Sequence, residues 1–220
     1  LSWLALPVLR ASPIAMASAA QCGYRFNTYI ALALAPSVAG ASGQSTMALI
    51  VGFAVPMVNL AAVYALARHQ GTHFAGALLR NPLLMSTVLG VVCNLAGLVL
   101  PTPIDTLLAR LGAAAVALGI LCVGASLVWQ PSQSKLSLVA WILSIKLIAL
   151  PACAWLIAIW LNLDPLKRQM LVLFSAMPPA SAAYVMAVRM GGDGRLVGLI
   201  ISIGTPIAAI TIPFWLLLVS

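Results

Sequence analysis

Acidic residues are nearly absent from this sequence, which has three aspartates and no glutamate among its 220 residues. Charged residues of both signs make up only 6% of the chain, whereas 63% is hydrophobic. Soluble domains carry about a quarter charged residues, so this composition excludes a soluble enzyme and a nucleic-acid-binding module. One transmembrane helix takes about 20 residues, and the length therefore predicts an all-α polytopic membrane protein with about eight crossings.

Other absences narrow the chemistry. The four cysteines lie singly without a CxxC pair, which argues against a disulfide framework or a thiolate metal site. Asp105, Asp164 and Asp193 fall in predicted loops, so the spans contain no carboxylate for a proton relay. The chain has no nucleophile elbow, HExxH or P-loop motif. We therefore expect no cofactor, no metal site and no enzymatic activity, and transport driven by a gradient is the simplest interpretation.

Polar interruptions divide the chain into predicted membrane segments, and the first interruption is a short polar loop that follows Leu9 and extends through Arg25. These are Leu1 to Leu9 (partial), Phe26 to Ala39, Ser45 to Ala67, Leu83 to Leu100, Leu107 to Trp129, Leu136 to Leu161, Met170 to Val188 and Leu196 to Val219. With the polar stretch 68–80 assigned to the cytoplasm, seven Lys and Arg residues fall on that side and three on the other. This asymmetry predicts that the C-terminus is not cytoplasmic. Because Leu1 lies inside an apolar run, we expect upstream helices to precede it.

Two segments carry signals of interrupted helices. Phe26 to Ala39 is short, contains Asn27 and Pro36, and ends in a Gly/Ser turn. The second segment contains the adjacent prolines Pro178 and Pro179, which remove two backbone donors. On the assigned topology the two segments run in opposite directions, which predicts an inverted repeat with a substrate site between the breaks. The alternative for the first segment is that Pro36 is a tolerated kink and Asn27 a helix N-cap at the membrane surface. The alternative for the second is a plain kink at Pro178 and Pro179 that is repaired by nearby serine hydroxyls.

The predicted substrate-binding residues lie at these breaks or inside apolar spans. They are Asn27, Tyr29, Pro36, Asn59, Lys146, Pro178, Pro179, Ser181 and Tyr184. An ammonium near mid-membrane is costly unless it is paired, so Lys146 is a candidate anion ligand, although its side chain could also extend to one interface. Asn59 is either a ligand contact or an interhelical hydrogen-bonding residue.

Several longer elements resemble one family of permeases. They include RFNTYIAL (Arg25 to Leu32), VPMVN (Val55 to Asn59), KLIALP (Lys146 to Pro151), MPPASAAYVMA (Met177 to Ala187) and the tail from Gly191 to Pro213. In order and spacing, the chain resembles the auxin efflux carrier family, in its bacterial malate-permease-like branch. The resemblance extends over nearly the whole chain and implies an N-terminally truncated member.

The resemblance implies a ten-helix carrier with two inverted five-helix repeats, similar to the bile acid/sodium symporter fold. Residues 1–67 would then end the first repeat, with the end of a third helix, a broken fourth and a fifth. Residues 68–80 would form a cytoplasmic loop, and residues 81–220 would form the second repeat with its broken helix near 170–188. Two crossed, proline-broken helices would lie at the centre of the transport domain.

The resemblance also implies a function. We expect a secondary transporter of small organic anions, such as malate or auxin-like carboxylates, that works by elevator-type alternating access in the bilayer of a bacterial plasma membrane. A channel or a non-transporting membrane partner protein is the alternative. A proton or sodium coupling ion and a homodimer both stay open at this point.

Overall fold

The computed structural model describes residue 2 and residues 12–70, 82–125 and 136–219, and these are helices joined by short connections, without a strand. The predicted all-α class is confirmed for this part of the chain. The partial segment Leu1 to Leu9, apart from residue 2, and most of the predicted loop 68–80 lie outside the described residues.

The helices follow one another in this order: α1 Pro13–Tyr24, α2 Thr28–Gln70, α3 Pro82–Leu95, α4 Thr102–Ala125, α5 Leu136–Ser144, a π-helical turn Ile145–Ala149, α6 Leu150–Trp160, α7 Pro165–Ala176, α8 Ala182–Arg189 and α9 Gly194–Val219. Within the described part of the chain, three helical stretches are long and apolar enough to cross a membrane, namely Pro13–Ala65, Leu136–Trp160 and Gly194–Val219. Eight crossings and a ten-helix inverted repeat stay predictions.

Helix α1 corrects the sequence-based assignment of a polar stretch that extends through Arg25. Ser12 caps the helix by accepting a hydrogen bond from the Ala15 N–H at 3.4 Å, and Pro13 occupies the first turn. The helix is built mainly from Ala, Ser and Gly, and residues 15–23 are buried. Small side chains let helices approach closely in a membrane, so a low hydropathy here marks tight packing instead of a loop.

Helix α2 is interrupted after its third turn. Ala39 and Gly40 leave helical geometry, with φ of −142° and +59° respectively. The positive φ at Gly40 is readily adopted only by a residue without Cβ. The helix continues through Pro36, which is exposed, so the predicted position of the break is corrected. Interruptions lie on both sides of that proline, at residues 25–27 and at 39–40.

Another interruption lies at the adjacent prolines, inside the segment where the sequence suggests one. Helix α7 ends at Ala176, residues 177–181 are not helical, and α8 begins at Ala182. Pro178 and Pro179 cannot donate to the preceding turn, and that is the physical reason for the interruption. Asp164 starts α7 by accepting a hydrogen bond from the Lys167 N–H at 3.0 Å.

The buried core surrounds α7. Its side chains Met170, Val172 and Leu173 are completely buried and belong to one apolar cluster with residues of α1, α2, α5 and α9. By contrast, α3 and α4 contact α2 and expose large apolar side chains along much of their length. The core therefore contains the interruptions at residues 25–27 and 177–181, which we call the first break and the second break.

Candidate functional site

The first and second breaks meet in the interior. The backbone N–H of Asn27 donates to the carbonyl oxygen of Pro178 at 2.9 Å, which links one break directly to the other. The rings of Phe26 and Phe174 pack edge to face beside this bond, with centroids 4.1 Å apart. Because both backbones are non-helical here, each satisfies part of the other's lost hydrogen bonding.

A cavity of about 260 Å³ opens beside this junction. Its wall is formed by residues 25–29, by one face of α2 between Val51 and Asn59, and by residues 180–182. Four of the predicted residues line it, namely Asn27, Tyr29, Asn59 and Ser181. The structure thus brings together side chains from two parts of the chain that are more than 120 residues apart in sequence.

Asn27 has two roles at the cavity. Its Oδ1 accepts hydrogen bonds from the N–H groups of Tyr29 and Ile30, both at 3.1 Å, and so caps the first turn of α2. Its Nδ2 is buried without a hydrogen-bond partner, and the residue as a whole is only 2% exposed. An unsatisfied buried amide donor is costly, so this group is ready to bind an acceptor that enters the cavity.

Arg25 is the main residue of the cavity wall that was not among the predicted site residues. It was assigned to a loop, yet the structure buries it to 3% exposure at the break. Its guanidinium donates to Asn59 Oδ1 at 2.8 Å, to Gln21 Oε1 at 3.1 Å and to Met186 Sδ at 3.5 Å. The available signal was its position directly before Phe26 and Asn27, where a cation adjoins the predicted broken segment.

The hydrogen bonds of Arg25 fix the side chains around it. Asn59 accepts from Arg25 through Oδ1, which leaves its buried Nδ2 without a partner. Gln21 accepts from the same guanidinium and donates through Nε2 to the carbonyl of Ala183 at 3.4 Å. Arg25 thereby connects α1, α2 and α8 and orients a second free amide donor.

The electrostatic character of the cavity is positive. Helices α2 and α8 both begin at its wall, and the N-terminal end of a helix carries a partial positive charge. Arg25 adds a full positive charge, whereas none of the residues that line the cavity is acidic. Buried N–H donors, two helix N-termini and a guanidinium form an arrangement that favours a carboxylate over a cation.

The remaining predicted residues lie elsewhere. Pro178 and Pro179 form the second break, and Pro36 and Tyr184 are exposed and do not line the cavity. Lys146 is completely buried in the π-helical turn, where its Nζ donates to the carbonyl of Ser175 at 3.2 Å. The structure therefore does not bring Lys146 to the cavity wall with Asn27 and Asn59.

Metal binding has no support among the described residues, which contain no cluster of three or more His, Cys, Asp or Glu side chains suited to an ion.

Tyr29 packs against Gly119 of α4, where a Cβ would find no room beside the tyrosine ring. This close approach brings α4 beside the cavity wall.

Comparison with known proteins gives one family. A model described as "Membrane transport protein" matches residues 72–216, roughly two thirds of the chain. The match includes the second break and α8 but begins after the first break and Asn59. No curated protein matches the chain.

Proposed function

The chain belongs to this membrane transport protein family, and on that premise we propose that it is a secondary carrier of small organic anions. The family match supports the resemblance to auxin efflux carriers at the level of the family and indicates a membrane transporter. The bilayer is its environment. We propose the plasma membrane of a bacterium, with a non-cytoplasmic C-terminus, from the distribution of Lys and Arg.

The observation that carries the proposal is the set of unpaired donors at the junction of the breaks. The buried Nδ2 groups of Asn27 and Asn59 have no partner, and both residues line the cavity together with Arg25. A carboxylate has two oxygens with lone pairs on each, so one group can accept from several such donors at once. We propose that the substrate carboxylate binds Arg25, Asn27 and Asn59.

The cavity volume supports a small substrate. About 260 Å³ accommodates a compact carboxylate such as malate, and Tyr29 in the wall could pack against an aromatic ring of an auxin-like acid. Ser181 adds a hydroxyl at the start of α8 that makes no capping hydrogen bond. We propose Tyr29 and Ser181 as contacts for the part of the substrate away from the carboxylate.

The proposed transport cycle is an elevator movement. The two breaks and the core around α7 would move as one body and carry the occupied cavity from one side of the membrane to the other. The direct bond from Asn27 to Pro178 supports this, since it ties the two breaks together. Helices α3 and α4, which pack on this core mainly through α2, would then form the part that stays in place while the core moves.

The test is counterflow of labelled malate and of labelled indole-3-acetate in proteoliposomes that contain the purified protein. The proposal predicts saturable uptake that is accelerated by unlabelled substrate on the opposite side. Asn27→Ala should abolish most of it, since it removes the free donor and the cap. Flux that does not saturate and shows no counterflow would support a channel instead, and unchanged kinetics in Asn27→Ala would overturn the site.

A further inference from the structure

The second break leaves carbonyl groups without helical donors. In a regular helix the carbonyls of Phe174 and Ser175 would accept from residues 178 and 179, but both are prolines and have no N–H. The Phe174 carbonyl is satisfied locally by the N–H of Met177 at 3.3 Å. The Ser175 carbonyl accepts instead from Lys146 Nζ at 3.2 Å.

Another proline, Pro151, explains why Lys146 can reach the Ser175 carbonyl. Pro151 has no N–H for the Leu147 carbonyl, and the chain before it widens into the π-helical turn, where the Leu150 N–H bonds to the carbonyl of Ile145. The freed Leu147 carbonyl accepts from Trp215 Nε1 at 2.9 Å. The π-helical turn places Lys146 in the interior, beside the C-terminal end of α7.

The environment of Lys146 lacks a carboxylate. The chain has three acidic residues, and all of them lie at helix N-termini: Asp105 in the first turn of α4, Asp164 as the cap of α7 and Asp193 before α9. The side chain of Lys146 is nevertheless 0% exposed. A buried ammonium is stable only when something negative offsets its desolvation, and the C-terminal end of α7 supplies partial negative charge.

We propose that Lys146 is a tethered cation that takes the place of a free coupling ion at the second break. In broken membrane helices, freed carbonyls and half-helix C-terminal ends coordinate Na⁺ or H⁺. Here a covalently attached ammonium already occupies such an end, with the same charge and a hydrogen bond to the freed oxygen. Substrate binding at the cavity and movement of the core therefore require no sodium ion.

With this assignment, the groups exposed at the two breaks are opposite in charge. The first break presents N–H donors and Arg25 to an incoming anion, whereas the second presents carbonyls that Lys146 already neutralises. The transport arm of the test rests on the proposed carrier function, but the stability arm does not.

The stability arm compares melting temperatures of the purified protein in sodium chloride and in N-methyl-D-glucamine chloride at equal ionic strength. The wild-type melting temperature should be the same in both salts. Lys146→Met keeps most of the packing volume but removes the charge, and it should lower the melting temperature by on the order of 5 °C. Lys167→Ala, which removes an exposed lysine at the start of α7, is the matched control and should shift it far less.

Rescue separates a charge effect from a packing effect. Lys146→Ala leaves space that propylammonium can enter, and this cation should restore part of the lost melting temperature while the neutral 1-propanol should not. A wild-type melting temperature that rises with sodium, or a Lys146→Ala protein that responds equally to both additives or to neither, would overturn the proposal. If Lys146→Ala does not fold, two melting-temperature comparisons still test the proposal: the wild type in the two salts, and Lys146→Met against the wild type.

The transport arm measures malate counterflow by the wild-type protein with and without sodium. Equal rates in both salts support the tethered cation. Counterflow that occurs only in sodium would overturn this inference and leave the carrier function standing. Absence of counterflow in both salts would overturn the carrier function, while the melting temperatures would still decide the role of Lys146.

Discussion

The first and second breaks of this protein are built by different means. At residues 177–181 the interruption comes from two prolines that cannot donate, and the consequence is a set of freed carbonyls. At residues 25–27 there is no proline, and the interruption is maintained by side chains: Asn27 caps the next helix, and Arg25 binds across three helices. One break is thus rich in acceptors and the other in donors.

The difference explains where a ligand can bind. The acceptors at the second break are satisfied by Asn27 N–H, which bonds to Pro178, and by Lys146, which bonds to Ser175. The donors at the first break exceed the acceptors around them, since the Nδ2 groups of Asn27 and Asn59 stay unpaired. An anion is the ligand that would complete this arrangement.

The largest expected effect comes from removal of the cation at the first break. Arg25→Gln should lower the apparent affinity for malate in counterflow by about 10- to 100-fold, since a charge-assisted hydrogen bond is worth about 1.5 to 3 kcal/mol. Arg25→Lys keeps the charge but not the planar guanidinium, and its affinity for malate should lie between those of the wild type and Arg25→Gln. Arg195→Gln is the control, because Arg195 is exposed and does not line the cavity. An equal loss of malate affinity in Arg195→Gln and Arg25→Gln would contradict a specific role of Arg25 in binding.

A smaller effect is expected when the free donor of Asn27 is changed while its cap is kept. Asn27→Ser retains an oxygen for the N–H groups of Tyr29 and Ile30, so the melting temperature should stay near that of the wild type. The affinity for malate should fall by about tenfold, the value of one hydrogen bond. Asn27→Asp also retains the cap but places a negative charge beside the substrate, and it should lower affinity further. Unchanged affinity in both variants would contradict the assigned role of Nδ2.

The prolines test where the breaks lie. Pro179→Ala returns an N–H to the position that could serve the Ser175 carbonyl, so it should compete with Lys146 and change the counterflow rate by a few-fold. Pro36→Ala, within a continuous and exposed part of α2, should change that rate by less than about twofold. Measured in the same proteoliposomes, a larger effect at Pro36 than at Pro179 would return the first break to the position expected from the sequence.

The smallest expected effect concerns the start of α7, outside the membrane-spanning segments. The hydrogen bond from the Lys167 side chain and the one from its backbone N–H hold the pKa of Asp164 below its usual value of 3.8. A lowered pKa in the folded state means that this contribution to stability is present at neutral pH and is lost as the pH falls through the lowered value. Asp164→Asn should therefore reduce the acid dependence of the melting temperature between pH 6 and about pH 3 only slightly, since the pair is exposed. An unaltered acid dependence in Asp164→Asn would show that the cap does not respond to protonation.

Hydropathy was enough to predict an all-helical membrane protein, and the two adjacent prolines drew attention to the region where α7 ends. The first break could not be located in this way, because it depends on side-chain capping and on Arg25, and a lone arginine in a sequence is usually assigned to a loop. Helix α1 was missed for a related reason: its small residues lower the mean hydropathy while they allow close packing.

The position of Lys146 could not be predicted either. The sequence indicated an intramembrane cation, but only the structure shows that Pro151, the π-helical turn and the freed Ser175 carbonyl act together on it. Asn27, by contrast, was predicted from its place in the short interrupted segment, and Asn59 because an amide in an apolar span needs a partner wherever the fold places it. Whether the carboxylate of a substrate is that partner stays a prediction.

Protection of a cysteine at the cavity wall tests the central claim most directly. With the four native cysteines replaced by alanine, Ser181→Cys would be modified by a small thiol reagent in the presence of malate, indole-3-acetate or the uncharged malamide. If a carboxylate binds at the junction of the two breaks, at least one of the acids should slow the modification by about tenfold at saturation, and malamide should not. Equal modification rates with all three compounds and without any of them would contradict the account.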